Sequence, residues 1–290
     1  MPDSRWSRYN LVFFDCDSTL SSIEGIDELA RLKGKAGRVG LLTSKAMDGE
    51  LDLAEVYGKR LRAIKPTRAQ LKAVEERYWE TKIEDAQAVI AALTALDNHV
   101  FIISGGLIDA VKGFGRRLGV EPENIRAVEL EYNELSGRWW DYSEPQAQQS
   151  KSYLDYSEGP LTVSNGKADI IRELAGARPG RRMMVGDGSS DLAARCEVDL
   201  FVGFGGVVAR ERVKEGADVF VLSASLAPIL PLAAGRSGWE RLRGTAHESA
   251  FRKGLALSLG EERLLFQSGH LRDRFIREFE DVTQAWNSKP

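Results

Sequence analysis

Residues Asn10–Leu20 read NLVFFDCDSTL, an apolar run that leads directly into two acids and two hydroxyl residues. Apolar runs of this length are typical of strands that are buried on both faces of a parallel sheet. In an open α/β sheet, ligands bind just beyond the carboxyl ends of such strands. The stretch predicts a strand over 11–14 that delivers Asp15 and Asp17 to the mouth of a site. A polar strand-to-loop turn is the alternative that this stretch alone leaves open.

Two further apolar runs also end in polar residues. The run FIISGG carries Ser104 before two glycines, and the run MMVGDGSSD carries Asp187 in a glycine turn. Lys167 opens a helical pattern between these two runs. Because ligands collect at the carboxyl edge of a parallel sheet, we expect these side chains to meet the acids that follow the first strand.

Strand patterns and helical patterns alternate along the chain, which predicts an α/β fold built on a doubly wound parallel sheet. The predicted strands are Leu11–Phe14, Val100–Ile103, Arg126–Leu130, Met183–Val185, Leu200–Val202 and Val219–Val221. Residues 131–140 place a turn sequence between aromatic residues and predict an antiparallel hairpin.

Residues 24–85 show helical periodicity and no strand pattern, although they lie between the first two predicted strands. An insertion of this length predicts a small helical cap over the site, and an ordinary long crossover is the alternative. We therefore predict a catalytic core over residues 1–23 and 86–235, a cap over 24–85 and a helical extension over 236–290.

The extension repeats apolar residues at helical spacing from Leu255 to Phe266 and again from Leu271 to Phe279. This pattern predicts two amphipathic helices, separated near Gly260 and Gly269. Packing of both helices on the edge of the core is the first interpretation. Formation of a homodimer through them is the alternative.

The composition restricts the class of protein and its partners. The chain has 290 residues, of which 43% are hydrophobic, and a formal net charge of −3. A slightly acidic chain does not favour nucleic acid as its main partner. Two cysteines, Cys16 and Cys196, argue against a disulfide framework. The polar start and the lack of a run long enough to span a membrane lead us to expect a cytoplasmic protein without a membrane partner.

Four short signatures occur in a fixed order along the chain. They are Asp15-Cys16-Asp17-Ser18-Thr19, then Ser104, then Lys167, then Gly186-Asp187-Gly188 with Asp191. This ordered set resembles the haloacid dehalogenase superfamily of phosphatases. Residues 22–30, residues 46–49 and Arg60 are similar to the phosphoserine phosphatase family within it, and the resemblance covers residues 9–232.

The resemblance implies a Rossmann-like core and a Mg²⁺-dependent hydrolysis of O-phospho-L-serine, a reaction of serine biosynthesis. It implies that Asp15 is the nucleophile that forms an aspartyl-phosphate, and that Asp17 acts first as general acid and then as general base. A carboxylate is chemically suited to either role. Lys167 supplies positive charge to the phosphate and to Asp15, and Lys151 is a weaker rival for that role because no helical pattern follows it.

The remaining candidate residues form three groups. The phosphate is expected to contact Ser104, Lys167 and the backbone amides of Gly105 and Gly106. The expected Mg²⁺ ligands are Asp15, Asp187 and the backbone carbonyl of Asp17, with Asp191 and Ser190 behind them. The substrate amino and carboxyl groups are expected to meet Glu24 and Arg60, beside Met47 and Leu53.

Two positions depart from the family pattern. Leu53 stands where the family usually has Phe, and Ser190 stands where it usually has Asn. Two other functions therefore stay open. One is a related phosphatase or phosphotransferase that acts on another small phosphomonoester, and the other is a non-catalytic binding protein on the same scaffold.

Overall fold

The structure, a computed structural model, describes residues 6–47, 50–51, 53–136, 150–260 and 263–287. The strands are β1 (Leu11–Phe14), β2 (His99–Leu107), β3 (Ile125–Val128), β4 (Leu130–Tyr132), β5 (Tyr153–Tyr156), β6 (Arg182–Gly186), β7 (Leu200–Phe204), β8 (Val219–Val221) and β9 (Leu264–Phe266). The α-helices are α1 (Gly25–Leu32), α2 (Ala36–Met47), α3 (Leu53–Ile64), α4 (Arg68–Glu80), α5 (Ala86–Ala95), α6 (Ile108–Leu118), α7 (Gly166–Ala175), α8 (Ser189–Ala193), α9 (Glu211–Gly216), α10 (Ile229–Leu242), α11 (Glu248–Leu259) and α12 (Gly269–Asn287).

A seven-stranded sheet in the order β3-β2-β1-β6-β7-β8-β9 forms the centre of the fold. Every pairing in it is parallel except that of β9, which runs antiparallel to β8. All four side chains of β1 are fully buried, as expected for a strand covered by helices on both faces. The predicted α/β class and doubly wound parallel sheet are confirmed.

The register of the sheet brings the ends of β1 and β6 to one level, beside the middle of β2. Phe14 of β1 lies beside Ile102 of β2 on one side and beside Val185 of β6 on the other. Asp15 and Asp187 follow β1 and β6 within two residues of these positions, so both acids lie at the carboxyl edge of the sheet. Parallel pairing thus assembles a site from segments far apart in sequence.

Helices α1 to α4 lie between β1 and α5, above this edge of the sheet. The two chain segments that connect them to the core run side by side. The amide of Ser22 donates to the carbonyl of Thr81 at 2.9 Å, and the amide of Ile83 donates to the carbonyl of Leu20 at 2.9 Å. The division of the chain at 23/24 and at 85/86 into core and cap stays a prediction.

The C-terminal extension packs against the edge of the core. Phe275 and Phe279 of α12 are fully buried, and the ring of Phe275 lies 5.1 Å from that of Trp6. The predicted boundary at 235/236 falls inside α10, where Gly235 has φ +59° and interrupts the helix. The apolar contacts described here lie within one chain, so the homodimer stays a prediction.

The sequence interpretation was wrong at three places. The run from Leu264 to Phe266 is the strand β9 and not part of a helix, because α11 ends at Leu259 and β8 offers an open edge. The strand predicted over 126–130 is two short strands, β3 in the main sheet and β4 in a separate two-stranded sheet.

The third error concerns β2. The strand β2 continues through both glycines to Leu107, with a register shift after Ile103. The antiparallel partner of β4 is β5, and the second half of the predicted hairpin, 137–140, lies outside the described residues, so the hairpin stays a prediction. Within the part of the chain that the structure describes, no helix combines the length and the apolar character needed to cross a lipid bilayer.

Candidate active site

A buried lysine stands between two carboxylates at the carboxyl edge of the sheet. The Nζ of Lys167 lies 2.7 Å from Oδ1 of Asp15 and 2.6 Å from Oδ1 of Asp191. Burial alone would lower the pKa of this lysine, but the two carboxylates raise it above its usual value, so it stays a cation. Lys151 pairs instead with Glu134, whose side chain is exposed. The geometry therefore favours Lys167 over its rival.

The glycine before this lysine explains how the ammonium reaches the site. Lys167 is the second residue of α7, and a Cβ on Gly166 would lie 1.5 Å from the carbonyl oxygen of Pro160. Only glycine allows the start of the helix to pack this closely against the preceding loop. The Gly166-Lys167 pair thus places a positive charge under Asp15.

Three carboxylates could hold a metal ion. Asp15, Asp187 and Asp191 each offer an oxygen, and these oxygens lie within 4.8 Å of one another in a buried position. Burial and the charge of Asp191 raise the pKa of Asp187 to about 7, and they raise that of Asp15 well above its usual range. A cluster of hard oxygen donors with excess negative charge fits Mg²⁺.

Asp187 and Asp17 accept hydrogen bonds from different kinds of donor. Asp187 accepts hydrogen bonds from Oγ1 of Thr19 and from Nε of Arg210, both at 3.3 Å. The carboxylate of Asp17 is not a member of the three-acid cluster. From the sequence, we expect the backbone carbonyl of Asp17, and not its side chain, to bind Mg²⁺. Its Oδ1 instead accepts hydrogen bonds from the hydroxyl of Tyr78 at 2.6 Å and from the amide of Gly25 at 2.8 Å.

Ser104, which is expected to contact the phosphate, lies beside Asp17. The Oγ of Ser104 lies 3.5 Å from Oδ2 of Asp17 and accepts a hydrogen bond from the amide of Gly106 at 2.9 Å. Gly105 and Gly106 line the cavity, but they belong to β2 and not to a helix start. A phosphate that uses the amide of Gly106 must compete with the serine oxygen.

Glu24 and Arg60 bring opposite charges to the other side of the cavity. Glu24 accepts a hydrogen bond from Oγ of Ser18 at 2.7 Å, and burial together with the charges of nearby aspartates raises its pKa well above its usual range. Arg60 is 5% exposed and donates from Nη1 to Oγ1 of Thr43 at 3.1 Å. Its Nε is buried and finds no hydrogen-bond partner among the described residues.

The cavity between the helical region and the sheet is small, at about 50 Å³. The described residues that line it are Asp15, Asp17, Glu24, Ile26, Tyr57, Arg60, Gly105, Gly106, Lys167 and Ser190. A volume of this size holds only a few water molecules. The side chains of Met47 and Leu53, two predicted substrate contacts, lie outside the described part.

Sequence reasoning missed two tyrosines of the site. The hydroxyl of Tyr57 donates to the carbonyl of Gly105 at 2.8 Å, and Tyr78 donates to Asp17. Both tyrosines occupy apolar positions of helical repeats, so periodicity identified them only as core. The hydroxyl groups were the available signal, because a buried Tyr usually pairs its O–H.

Comparisons with known proteins agree with this arrangement. The profile of the haloacid dehalogenase-like hydrolases matches residues 12–194. The phosphoserine phosphatase of Mus musculus is 31% identical over 72% of this chain and 88% of that protein. The chloroplastic phosphoserine phosphatase of Arabidopsis thaliana is 32% identical over 73% of this chain and 68% of that protein. A solved structure of a phospho-aspartyl intermediate analogue of phosphoserine phosphatase has a TM-score of 0.64 and 26% identity, covering 77% of this chain and 98% of that one.

Proposed function

The chain belongs to the haloacid dehalogenase-like hydrolase family, and from that premise we propose that it is a Mg²⁺-dependent phosphatase that converts O-phospho-L-serine and water into L-serine and inorganic phosphate. Its relatives support the coarser class of phosphoric monoester hydrolase directly. One observation carries the proposal: the ammonium of Lys167 lies between Asp15 and Asp191, in a cavity that Glu24 and Arg60 also line.

In the first step of the proposed reaction, a carboxylate oxygen of Asp15 attacks phosphorus. The bond from phosphorus to the serine oxygen breaks, and a proton from Asp17 passes to that oxygen, so that serine leaves as a neutral alcohol. Lys167 neutralises part of the charge on the phosphoryl oxygens. A Mg²⁺ ion held by Asp15, Asp187 and the carbonyl of Asp17, when bound, would lower the repulsion between the carboxylate and the phosphate.

In the second step, water hydrolyses the aspartyl-phosphate. Asp17, now a carboxylate, accepts one proton from the water while the water oxygen attacks phosphorus. The bond between phosphorus and the Asp15 oxygen breaks and releases inorganic phosphate. The cycle returns Asp15 to a carboxylate and Asp17 to its protonated form, which restores the enzyme.

Recognition of phosphoserine requires partners for an ammonium and a carboxylate. Glu24 supplies a half-buried carboxyl group that fits the ammonium, and Arg60 supplies a buried guanidinium that fits the carboxylate. The Nε of Arg60, which has no partner among the described residues, supports a ligand at this position. Such a pair would place the enzyme in serine biosynthesis.

A substrate panel tests this function against the two alternatives. The panel contains O-phospho-L-serine, O-phosphoethanolamine, which lacks the carboxylate, and 3-phosphonooxypropionate, which lacks the ammonium. Release of phosphate in Mg²⁺ but not in EDTA, fastest with phosphoserine, supports the proposal. Faster turnover of other esters supports a related phosphatase, which the departures at Leu53 and Ser190 favour. Binding without any turnover supports a non-catalytic protein.

Replacing Arg60 by alanine is expected to raise KM for phosphoserine by roughly tenfold to a hundredfold, the effect of losing a charge-assisted pair of hydrogen bonds. The KM for O-phosphoethanolamine is expected to change by less than about threefold, because that ester has no carboxylate to lose a partner. Steady-state phosphate release measures both constants. Lys59→Ala, an exposed cation on the same helix, is the matched control. Equal increases for the two esters would remove Arg60 from the recognition site.

Adding Mg²⁺ is expected to stabilise the protein against heat. Saturation at about a hundred times Kd adds about 2.7 kcal/mol to the free energy of unfolding, which raises Tm by roughly 5 °C or more. Asp187→Asn removes one of the three clustered carboxylates, so the Mg²⁺-induced rise in Tm should largely disappear. Asp169→Asn, at an exposed aspartate of α7, should keep it. A full rise in the Asp187 variant contradicts the metal site.

A further inference from the structure

One hydrogen bond to the proposed general acid comes from the helical region above the sheet. The hydroxyl of Tyr78, near the end of α4, donates to Oδ1 of Asp17 at 2.6 Å. The side chain of Tyr78 is 1% exposed, and its ring stacks on Phe114 of α6 with 5.5 Å between the ring centres. A ring held by this contact has little freedom to swing its hydroxyl away from the carboxylate.

Gly25 lies opposite this hydroxyl and leaves room for it because it has no side chain. A Cβ on Gly25 would lie 2.1 Å from the tyrosine oxygen, so any larger residue would push the hydroxyl away. The amide of Gly25 also donates to Oδ1 of Asp17, at 2.8 Å. Two donors therefore fix the same carboxylate oxygen from different elements of the fold.

The second oxygen of this carboxylate is held much less tightly. Its contact in the described structure is a long one, 3.5 Å to Oγ of Ser104, a side chain that is expected to contact the phosphate. A carboxylate anchored through one oxygen presents the other in a fixed direction. General acid catalysis depends on that direction, because the proton must arrive within hydrogen-bond distance of the leaving oxygen.

We infer that Tyr78 is a positioning residue that anchors Oδ1 of Asp17 and thereby directs Oδ2 toward the leaving oxygen of the substrate. This inference rests on the proposed function, in which Asp17 protonates that oxygen as the bond to phosphorus breaks. A poor leaving group such as the alkoxide of serine needs this proton. A good leaving group such as the acetate of acetyl phosphate departs without it.

The test compares kcat/KM for phosphoserine and for acetyl phosphate, because this constant reports the step that forms the aspartyl-phosphate. Tyr78→Phe keeps the ring and removes only the hydroxyl. We expect kcat/KM for phosphoserine to fall roughly tenfold to a hundredfold, within the range that general acid catalysis contributes. The value for acetyl phosphate should fall by less than about threefold, because its leaving group needs no proton.

A control and a second variant make the test specific. Tyr132→Phe removes a buried hydroxyl that donates to Asp109 at 2.8 Å outside the cavity, and it should leave both constants within about twofold of wild type. Gly25→Ala pushes the hydroxyl of Tyr78 aside without changing that residue. It should produce the same dependence on the leaving group, even where the phenylalanine variant folds poorly.

The variant Asp17→Asn separates failure of this inference from failure of the proposed function. Suppose that Asp17→Asn keeps kcat/KM for acetyl phosphate, but Tyr78→Phe lowers kcat/KM equally for both substrates or for neither. The role of the tyrosine is then overturned and that of the aspartate stands. If Asp17→Asn lowers kcat/KM equally for both substrates, Asp17 is not the general acid. The proposed reaction and the positioning role of Tyr78 then both fail. Selective loss of phosphoserine turnover in both variants supports the inference.

Discussion

Asp15→Asn is expected to lower kcat for phosphomonoester hydrolysis by at least about 10⁴-fold, because an amide cannot form the aspartyl-phosphate and the loss of a nucleophile removes the covalent route. The side chains have nearly the same shape, and the amide oxygen can still accept from Lys167, so the fold should persist. Phosphate release measures turnover. Mass spectrometry of acid-quenched enzyme should find a phosphoryl group on the peptide around residue 15 in the wild type only.

A matched variant shows whether this loss is specific to the site. Asp155→Asn changes an exposed aspartate on β5 in the same way and should keep wild-type turnover. Thermal unfolding should give similar Tm values for both variants. Turnover by Asp15→Asn within about tenfold of wild type, with substrate still saturating, would show that this residue is not the nucleophile.

The sequence was sufficient to locate the acids of the site. Asp15 and Asp187 follow apolar runs, and parallel strands carry whatever follows them to the same edge of a sheet. Their meeting is therefore a consequence of local strand patterns and one topological rule. Lys167 was harder to place, since only its glycine and the helical pattern after it distinguished it from Lys151.

The anchoring of Asp17 could not be predicted from the sequence. Tyr78 occurs at an apolar position of α4, and helical periodicity explains it fully as a core residue. Its partner is 61 residues away along the chain, so the contact depends on how α4 packs against α6. The sequence around Gly25 does not predict this contact either, because the need for a glycine there depends on the position of Tyr78 in the folded protein.

The strand β9 shows a different limit of sequence reasoning. A run of three apolar residues from Leu264 to Phe266 fits a helix or a strand equally well. The open edge of β8 decides between them, since an unpaired edge offers backbone hydrogen bonds that a neighbouring segment can satisfy. Periodicity describes a segment alone, whereas pairing depends on its neighbours.

Lys167→Met is expected to lower the free energy of unfolding by about 3–5 kcal/mol in EDTA, because it leaves buried carboxylates without their cation. The two affected groups are Asp15 and Asp191, which are 2% and 0% exposed. Saturating Mg²⁺ should reduce the loss, since a divalent cation compensates the same negative charge. Turnover should fall by roughly 10²–10³-fold even in Mg²⁺, because the phosphoryl group loses a fixed positive charge. Urea unfolding and phosphate release measure the two effects.

The lysine that competed for this role is the matched control. Lys151→Met also removes a buried ammonium, but its partner Glu134 is exposed to water, so stability should fall by less than about 1 kcal/mol and turnover should persist. Adding Asp191→Asn to Lys167→Met should recover part of the lost stability, because it removes one of the two unpaired charges. If the two losses simply add, or if Lys151→Met destabilises as strongly, charge compensation by Lys167 does not hold the site together. Recovery in the double variant would instead show that the lysine is retained to keep the acids charged and close to one another.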